Sequence, residues 1–175
     1  KFITGVFEWT QEIIKSLVIL CLVITHLFTI SIVSGSSMLQ TLFDKDILIL
    51  AKAEPKKGDI VVIHNPGSLD KNIIKRIIAQ ENDSIKLDSE KNQVFVNGEL
   101  LKEDYAYVDS SLRTITPEWN IPTTIPEGYV FVMGDNRNGS SDSRSKLVKL
   151  IDKKDITGKV VLRIWPFNRL ASFFS

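Results

Sequence analysis

The chain has 175 residues, enough for one domain with or without an appendage. Hydrophobic residues make up 43% and charged residues 25%, proportions that fit neither a disordered chain nor a coiled coil. Lysine and arginine total 22 against 21 acidic residues, so no basic balance points to nucleic acid, and one cysteine with two histidines leaves neither a disulfide framework nor a CxxC or paired-His metal site.

Charge is unevenly placed. From Ser16 to Phe43, 28 residues carry no Asp, Glu, Lys or Arg. Extending the apolar stretch back to Ile13 gives a helix over 13–33, and a membrane span needs about 20 apolar residues. The competing readings are a buried core helix and a cleaved signal peptide, whose apolar region is only about 7–15 residues and ends in a small-residue cleavage site. The greater length, and the serine cluster that follows, favour an anchor. The organisation expected is a cytoplasmic segment over 1–12, the span over 13–33 and an extracytoplasmic domain over 34–175. Lys1 and Lys15 precede the span and Lys45 and Lys52 follow it, so the positive-inside rule favours neither orientation. The first residue is Lys, so the chain is read as lacking its start. His26 is placed in mid-span, where an ionisable group is a functional candidate; a neutral ring bonded to a nearby carbonyl, helped by Thr25 and Thr29, is the favoured reading. Cys21 reads as a small apolar filler.

After Val33 the pattern changes to short apolar runs bounded by turn residues: Ile47–Leu50, Ile60–Ile63, Ile73–Ile78, Ile85–Leu87, Val94–Val96, Tyr129–Met133 and Val160–Ile164. Their length and β-branched content predict a mainly β domain, a sandwich or barrel. Asn97-Gly98 between apolar runs predicts a hairpin. The polar stretch from Lys102 to Glu127, with Pro117, Pro122 and Pro126, reads as a long loop or small insertion.

Three clusters can carry chemistry. Ser34-Gly35-Ser36-Ser37-Met38 follows the apolar stretch directly, but a nucleophile also needs a base and oxyanion donors. Neither His26, in the span, nor His64, before Asn65-Pro66 in an apparent turn, suits a Ser-His-Asp triad. A lysine serves as base if burial keeps it neutral. Lys75, in Ile73-Ile74-Lys75-Arg76-Ile77-Ile78, fits best; alternation puts Ile73, Lys75 and Ile77 on one face and Ile74, Arg76 and Ile78 on the other. The same pattern also describes an edge strand with two solvated charges, and composition alone favours that. The third cluster, Gly134 to Arg144, is either a solvated loop or one stiffened by pairing among Asp135, Arg137, Asp142 and Arg144.

In this order behind an apolar stretch, the clusters resemble the type I signal peptidases, membrane-anchored Ser/Lys proteases. Ser37-Met38-Leu39-Gln40-Thr41-Leu42 resembles the S-M-x-P-T-L nucleophile box. Lys57-Gly58-Asp59-Ile60-Val61-Val62 resembles the R-G-D-I-V-V strand, and Lys75-Arg76-Ile77-Ile78-Ala79 the K-R-V-x-G box. Residues 134–144 match G-D-N-R-x-x-S-x-D-S-R fully, and Ile164-Trp165-Pro166 is also typical. The resemblance implies Ser37 as nucleophile, Lys75 as general base and Ser140 as the serine that orients the lysine. It implies the Ser37 N–H as one oxyanion donor, with Gly35 where some members place a second, serine donor. Asp142 and Arg144 would form a supporting ion pair, with Gly134 and Asp135 holding the same loop. The departures are Gln40 for proline, Glu81-Asn82 for the Pro-Gly of the base box, and Ser145-Lys146-Leu147-Val148 after the last box. Loss of Pro and Gly is expected to change turn geometry near both reactive groups.

The function implied is removal of signal peptides from exported precursor proteins at the outer face of the cell membrane. The protein would be single-pass with an extracytoplasmic catalytic domain, lipid and precursors as partners, and no metal, cofactor or nucleic acid. A rival is a non-catalytic or weakly catalytic relative that assists assembly of pilins. A self-cleaving Ser/Lys repressor relative would need an N-terminal helix-turn-helix, where the apolar stretch lies.

Overall fold

The computed structural model describes residues 2–109 and 115–173. Its first element is α1 (Phe2–Leu27), a single helix, not a helix-turn-helix. Within it, Trp9–Leu27 forms 19 residues long and apolar enough to cross a membrane, none of them buried against the body. The helix therefore stops short of Val33, where the length of the apolar stretch placed its end. Phe28-Thr29-Ile30-Ser31-Ile32 alternates apolar and polar residues, and this period of two suits a strand. As β1 (Phe28–Ile32) it pairs antiparallel with β2 (Ile47–Ala51), from Phe28 opposite Ala51 to Ile32 opposite Ile47. Ladder hydrogen bonds and the partner strand outweigh continued helix. His26 consequently lies one residue from the helix end, not in the middle of a span. In the last turns Thr25 Oγ1 donates to the Cys21 carbonyl at 2.9 Å.

The remaining strands are β3 (Ile60–Ile63), β4 (Ile73–Gln80), β5 (Ile85–Asp88), β6 (Gln93–Val96), β7 (Glu99–Leu100), β8 (Tyr129–Met133), β9 (Ile151–Asp152), β10 (Ile156–Trp165) and β11 (Ala171–Ser172). Most of them follow the apolar runs; the two-residue strands β7, β9 and β11 lie outside them. The large sheet has the order β1-β2-β10-β3-β4-β8-β9, with β11 beside β10; β5, β6 and β7 form a second sheet. The architecture is thus mainly β behind one apolar helix. The predicted hairpin is present: Asn97 (φ 55°) and Gly98 (φ 81°) join β6 to β7, the two positive φ values of a type I′ turn.

β3 is buried on both faces and β8 on both except at Tyr129, so each reads as a continuous apolar run rather than an alternation. Buried side chains collect in three groups: Met38, Leu42, Leu48 and Leu50 with Ile60 and Val62; Val61, Ile63, Ile73 and Ile77 with Val130 and Val132; and Ile78, Phe131 and Met133 against Ile85, Val94 and Val96. The stretch from Lys102 to Glu127 enters no strand among its described residues, and 110–114 lie outside the description. It is pinned by Ile115 and Ile125, both fully buried in the third group. Tyr107 bridges from it to Asn136.

β4 lies between β3 and β8 and is not an edge strand. Lys75 is 3% exposed and the Arg76 side chain 11%, so neither is a solvated edge charge, and the edge reading is overturned. At the end of β4, Asn82 takes a φ of 67°. The Asp83 N–H closes the turn on the Gln80 carbonyl at 3.0 Å, and the Asp83 carboxylate accepts the Gln80 N–H, also at 3.0 Å. A positive φ at the third turn residue is the type II pattern that glycine normally serves, and asparagine tolerates it better than other residues with a Cβ. Substitution of Pro-Gly by Glu81-Asn82 thus keeps the turn. Glu81 also pairs with Lys153 and accepts the Gly128 N–H, both at 2.8 Å.

This reading predicts that Asn82→Gly changes stability by less than about 1 kcal/mol, whereas Asn82→Val costs about 1–2 kcal/mol through Cβ crowding. Urea unfolding of the full chain in detergent measures both; equal effects would reject the turn assignment.

Candidate active site

The nucleophile candidate lies in the connection between β1 and β2. Met38 and Leu42, 2% and 0% exposed, drop into the apolar group beneath and stake that segment down. Burying two such side chains contributes roughly 1.5–3 kcal/mol each. Between them the chain turns tightly: the Thr41 and Leu42 N–H groups donate to the Met38 carbonyl at 3.1 and 2.8 Å. Gln40 has a φ of 80°, which a proline ring, locked near −65°, cannot adopt. Here the turn does differ from one carrying proline, as expected. The staked turn leaves Ser37 half-exposed and against Lys75 of β4.

Lys75 arrives from β4. Its side chain is only 3% exposed, and Nζ donates to Ser37 Oγ at 2.6 Å and to the Ile74 carbonyl at 2.9 Å. Burial pushes its pKa down from 10.5 to about 8; the neighbouring Asp142 and Asp135 carboxylates oppose this, while Lys71 and Arg144 reinforce it. An amine held against a hydroxyl in this way can take the hydroxyl proton.

The loop after β8 fastens the two together. Asn136 donates its N–H to the Ser37 carbonyl (3.0 Å) and its side-chain amide to the Ser36 carbonyl (3.1 Å). Asp135, fully buried, accepts Arg76 Nε at 2.9 Å and Nη2 at 2.7 Å, and Thr41 Oγ1 at 2.5 Å. One carboxylate thus joins Arg76, the neighbour of Lys75, to the turn that carries Ser37. Gly134 has no room for a side chain: a Cβ there would meet Ser140 Oγ and lie 2.5 Å from the Ser37 carbonyl oxygen. Asp142, also fully buried, accepts the Gly134 N–H (2.9 Å), the Ser140 hydroxyl (2.7 Å) and Arg144 through Nε (2.8 Å) and Nη2 (2.7 Å). Burial pushes the Asp142 carboxyl up, but these donors, Arg144 foremost, hold it below the ordinary carboxylate value.

The ion pairing differs from that expected within residues 135–144. Only Asp142 and Arg144 pair there. Arg76 stands opposite Met133 in the β4–β8 register, which puts its guanidinium beside Asp135, and Arg137 turns the other way to Glu103, donating Nη1 at 2.8 Å. Ser140 donates to Asp142, and the Lys75 ammonium bonds to Ser37 and Ile74, so the expected serine–lysine bond is not among these contacts. Gly35 is exposed with a φ of 94°, and its N–H donates to Asp44 Oδ1 at 2.9 Å. Ser37, Lys75, Gly134, Asp135, Ser140, Asp142 and Arg144 therefore converge; Gly35 stands at the margin.

Sequence reasoning assigned no role to Thr41, Arg76, Asn136 or Glu103. Arg76 carried a signal as a charge in an otherwise apolar run, and Thr41 and Asn136 as matched positions of the motif boxes; Glu103 carried none, and the partners of these residues lie 34 to 100 positions away. A further buried group supports the turn from the opposite side. Arg163 Nη1 donates to the Thr41 carbonyl at 2.8 Å and to Asp46 at 3.3 Å, and Arg169 joins Asp46 at 3.1 Å. A cleft of about 440 Å³ opens beside the Ser37–Lys75 pair, floored by apolar residues including Val33, Met38, Val62 and Ile74.

A lysine whose pKa falls from 10.5 to about 8 on folding binds fewer protons folded than unfolded in that window, so stability should rise there by roughly 3 kcal/mol as pH increases. Below it the full cost is present. Lys75→Met should accordingly be more stable than the parent at pH 7 in urea unfolding, with the advantage shrinking toward pH 10.5. A pH-independent difference would mean that the amine is not desolvated.

The sequence model of the family "Signal peptidase, peptidase S26" matches residues 6–165. Signal peptidase I P of Bacillus subtilis subsp. natto is 36% identical over 177 residues, covering 95% of this chain and 93% of its own. Signal peptidase I of Bacillus licheniformis is 34% identical over 178 residues, covering 95% and 92%. The crystal structure of a signal peptidase I from Enterococcus faecalis V583 superposes with a TM-score of 0.51 at 26% identity, covering 61% of this chain and 97% of that one. With matches spanning nearly its whole length, from the apolar helix to the end of β10, the chain belongs to the signal peptidase family, peptidase S26.

Proposed function

We propose that this protein is a serine endopeptidase that removes signal peptides from exported precursors with a Ser37–Lys75 dyad. The observation that carries the reading is the 2.6 Å contact between Lys75 Nζ and Ser37 Oγ, made by an amine with a pKa of about 8. At pH 7 roughly a tenth of such a lysine is neutral, against less than about one in a thousand for a free one. The neutral amine takes the hydroxyl proton as Ser37 Oγ attacks the scissile carbonyl. The Ser37 N–H receives the developing oxyanion. The ammonium returns its proton to the leaving amine, which departs as the new N-terminus of the mature protein. The neutral amine then takes a proton from water, whose oxygen attacks the ester; as the ester bond breaks the ammonium returns that proton to Ser37 Oγ, and the signal peptide leaves with a free carboxylate. Asp142, Arg144 and Ser140 position these groups through the Gly134 loop. The reading as a non-catalytic assembly factor is not favoured, because both members of the dyad are present and in contact.

The chain would be anchored by Trp9–Leu27 with the β domain outside the cell, where the cleavage site of a translocating precursor emerges. The outward side of β1 supports lipid contact: Phe28, Ile30 and Ile32 are exposed, next to the helix end. Ile32 lies opposite Ile47, and Ile47 opposite Trp165 on β10. Trp165 packs edge-on to Phe167 at 4.9 Å, with Leu170 exposed nearby in the chain. Indole rings favour the lipid–water boundary.

Ser37→Ala and Lys75→Ala should each abolish cleavage of a purified signal-peptide substrate with the fold intact by circular dichroism. Lys75→Arg should fail as well, since a guanidinium does not deprotonate. In the parent, kcat/KM should rise with pH through a limb near 8. Cleavage by either alanine variant would remove the dyad from the mechanism. Replacing Trp165 and Phe167 together by serine should slow cleavage of precursors in lipid vesicles and leave cleavage of a short soluble peptide unchanged. Equal rates in vesicles would reject the lipid-contact face.

A further inference from the structure

The cleft beside the dyad is apolar and small-polar almost throughout. Two of its lining residues carry ionisable side chains, Lys71 and Lys75. They differ in kind. Lys75 is buried and bonded to Ser37, and it must be neutral to act. Lys71 is exposed, precedes β4 by two residues and forms no ion pair among the described residues. With Lys75 neutral in the reactive state, Lys71 is the fixed charge of the cleft.

Its neighbours hold its segment at the cleft. Asn72 Oδ1 contacts His64 Nδ1 at 2.9 Å, which ties the segment to the end of β3. Ile73, 7% exposed, anchors it in the core on the other side. The ammonium is close enough to the dyad to disfavour protonation of Lys75. A peptide held in the cleft therefore lies within its field.

We propose that Lys71 is a specificity-determining residue, which favours precursors with an acidic side chain in the segment bound beside the scissile bond and disfavours those with a lysine or arginine there. The inference rests on the peptidase reading above and concerns which substrates that site prefers. A carboxylate placed in the cleft gains an unpaired cation as partner, and a cationic residue meets like charge over a low-dielectric floor. The pair is exposed to solvent at the rim, so it acts as a modest selector rather than an absolute one.

The test uses the full chain in detergent and a set of signal-peptide substrates identical except for one residue, Glu, Gln or Lys, moved through the three positions on either side of the cleaved bond. In at least one position, the parent should prefer Glu over Lys by roughly two- to fivefold in kcat/KM at low salt, as expected of an exposed pair, with the ratio falling as salt rises. Lys71→Ala should erase the preference, Lys71→Arg should keep it and Lys71→Glu should reverse it, while all three still cleave the Gln peptide. A parent that cleaves the Gln peptide but shows no charge preference at any position, or a preference that survives in Lys71→Ala, overturns the assignment of Lys71. A parent that cleaves none of the peptides overturns the peptidase reading instead, and the two failures are distinct.

Discussion

One contact sets the terms for the rest of the structure: an amine removed from water and bonded to a serine hydroxyl. A lysine gives up its proton near neutral pH only if its charged form is penalised, and here burial supplies that penalty. An interior strand covered on its faces supplies that burial along its whole length. β4 meets this condition between β3 and β8. Apolar groups on both sides of the sheet keep water from the strand.

The second constraint is electrostatic. Two buried carboxylates, Asp135 and Asp142, lie near enough to Lys75 to favour its charged form. They work against what burial achieves. Each is matched by a guanidinium, Asp135 by Arg76 and Asp142 by Arg144, in bidentate pairs. Charge-assisted bonds of this kind add geometry as well as energy. The carboxylates can then serve as rigid joints, one tying Thr41 to β4 and the other tying Ser140 to Gly134, without fully restoring the lysine's affinity for protons. Removing one partner of a buried pair typically costs about 3–5 kcal/mol, so these joints are sensitive points for the fold as much as for the chemistry.

Gly134 shows how closely the parts are fitted. It lies where the Ser37 carbonyl, the Ser140 side chain and the Asp142 carboxylate meet, and a methyl group there would displace the first two. The requirement is for space, since its backbone conformation is an ordinary one. Asn82 is the opposite case: its backbone is unusual, and asparagine stands in for glycine because its Cβ meets only moderate crowding. Both residues lie in motif boxes of the family, and the physical demands on them are different.

Local pattern marked β2, β3, β4, β5, β6, β8 and β10, but not β1, β9 or β11. Runs such as Ile60–Ile63 and Tyr129–Met133 begin and end where their apolar residues do, and Asn97-Gly98 dictated its hairpin through two positive φ values. Resemblance to the signal peptidase boxes, not spacing alone, singled out Ser37 and Lys75 and the loop from Gly134 to Arg144. What the sequence left undecided was every choice between near-equal local states. The apolar stretch running through Phe28–Ile32 is compatible with helix or strand, and β2 as a partner decides it. Lys75 and Arg76 suit an edge or an interior strand, and the position between β3 and β8 decides that. The pairing of Asp135 with Arg76 rather than with a neighbour in its own loop depends on the register of β4 and β8. Periodicity and turn chemistry act over a few residues and are written in the chain; burial, register and ion pairing join residues tens of positions apart and exist only once the sheet has formed.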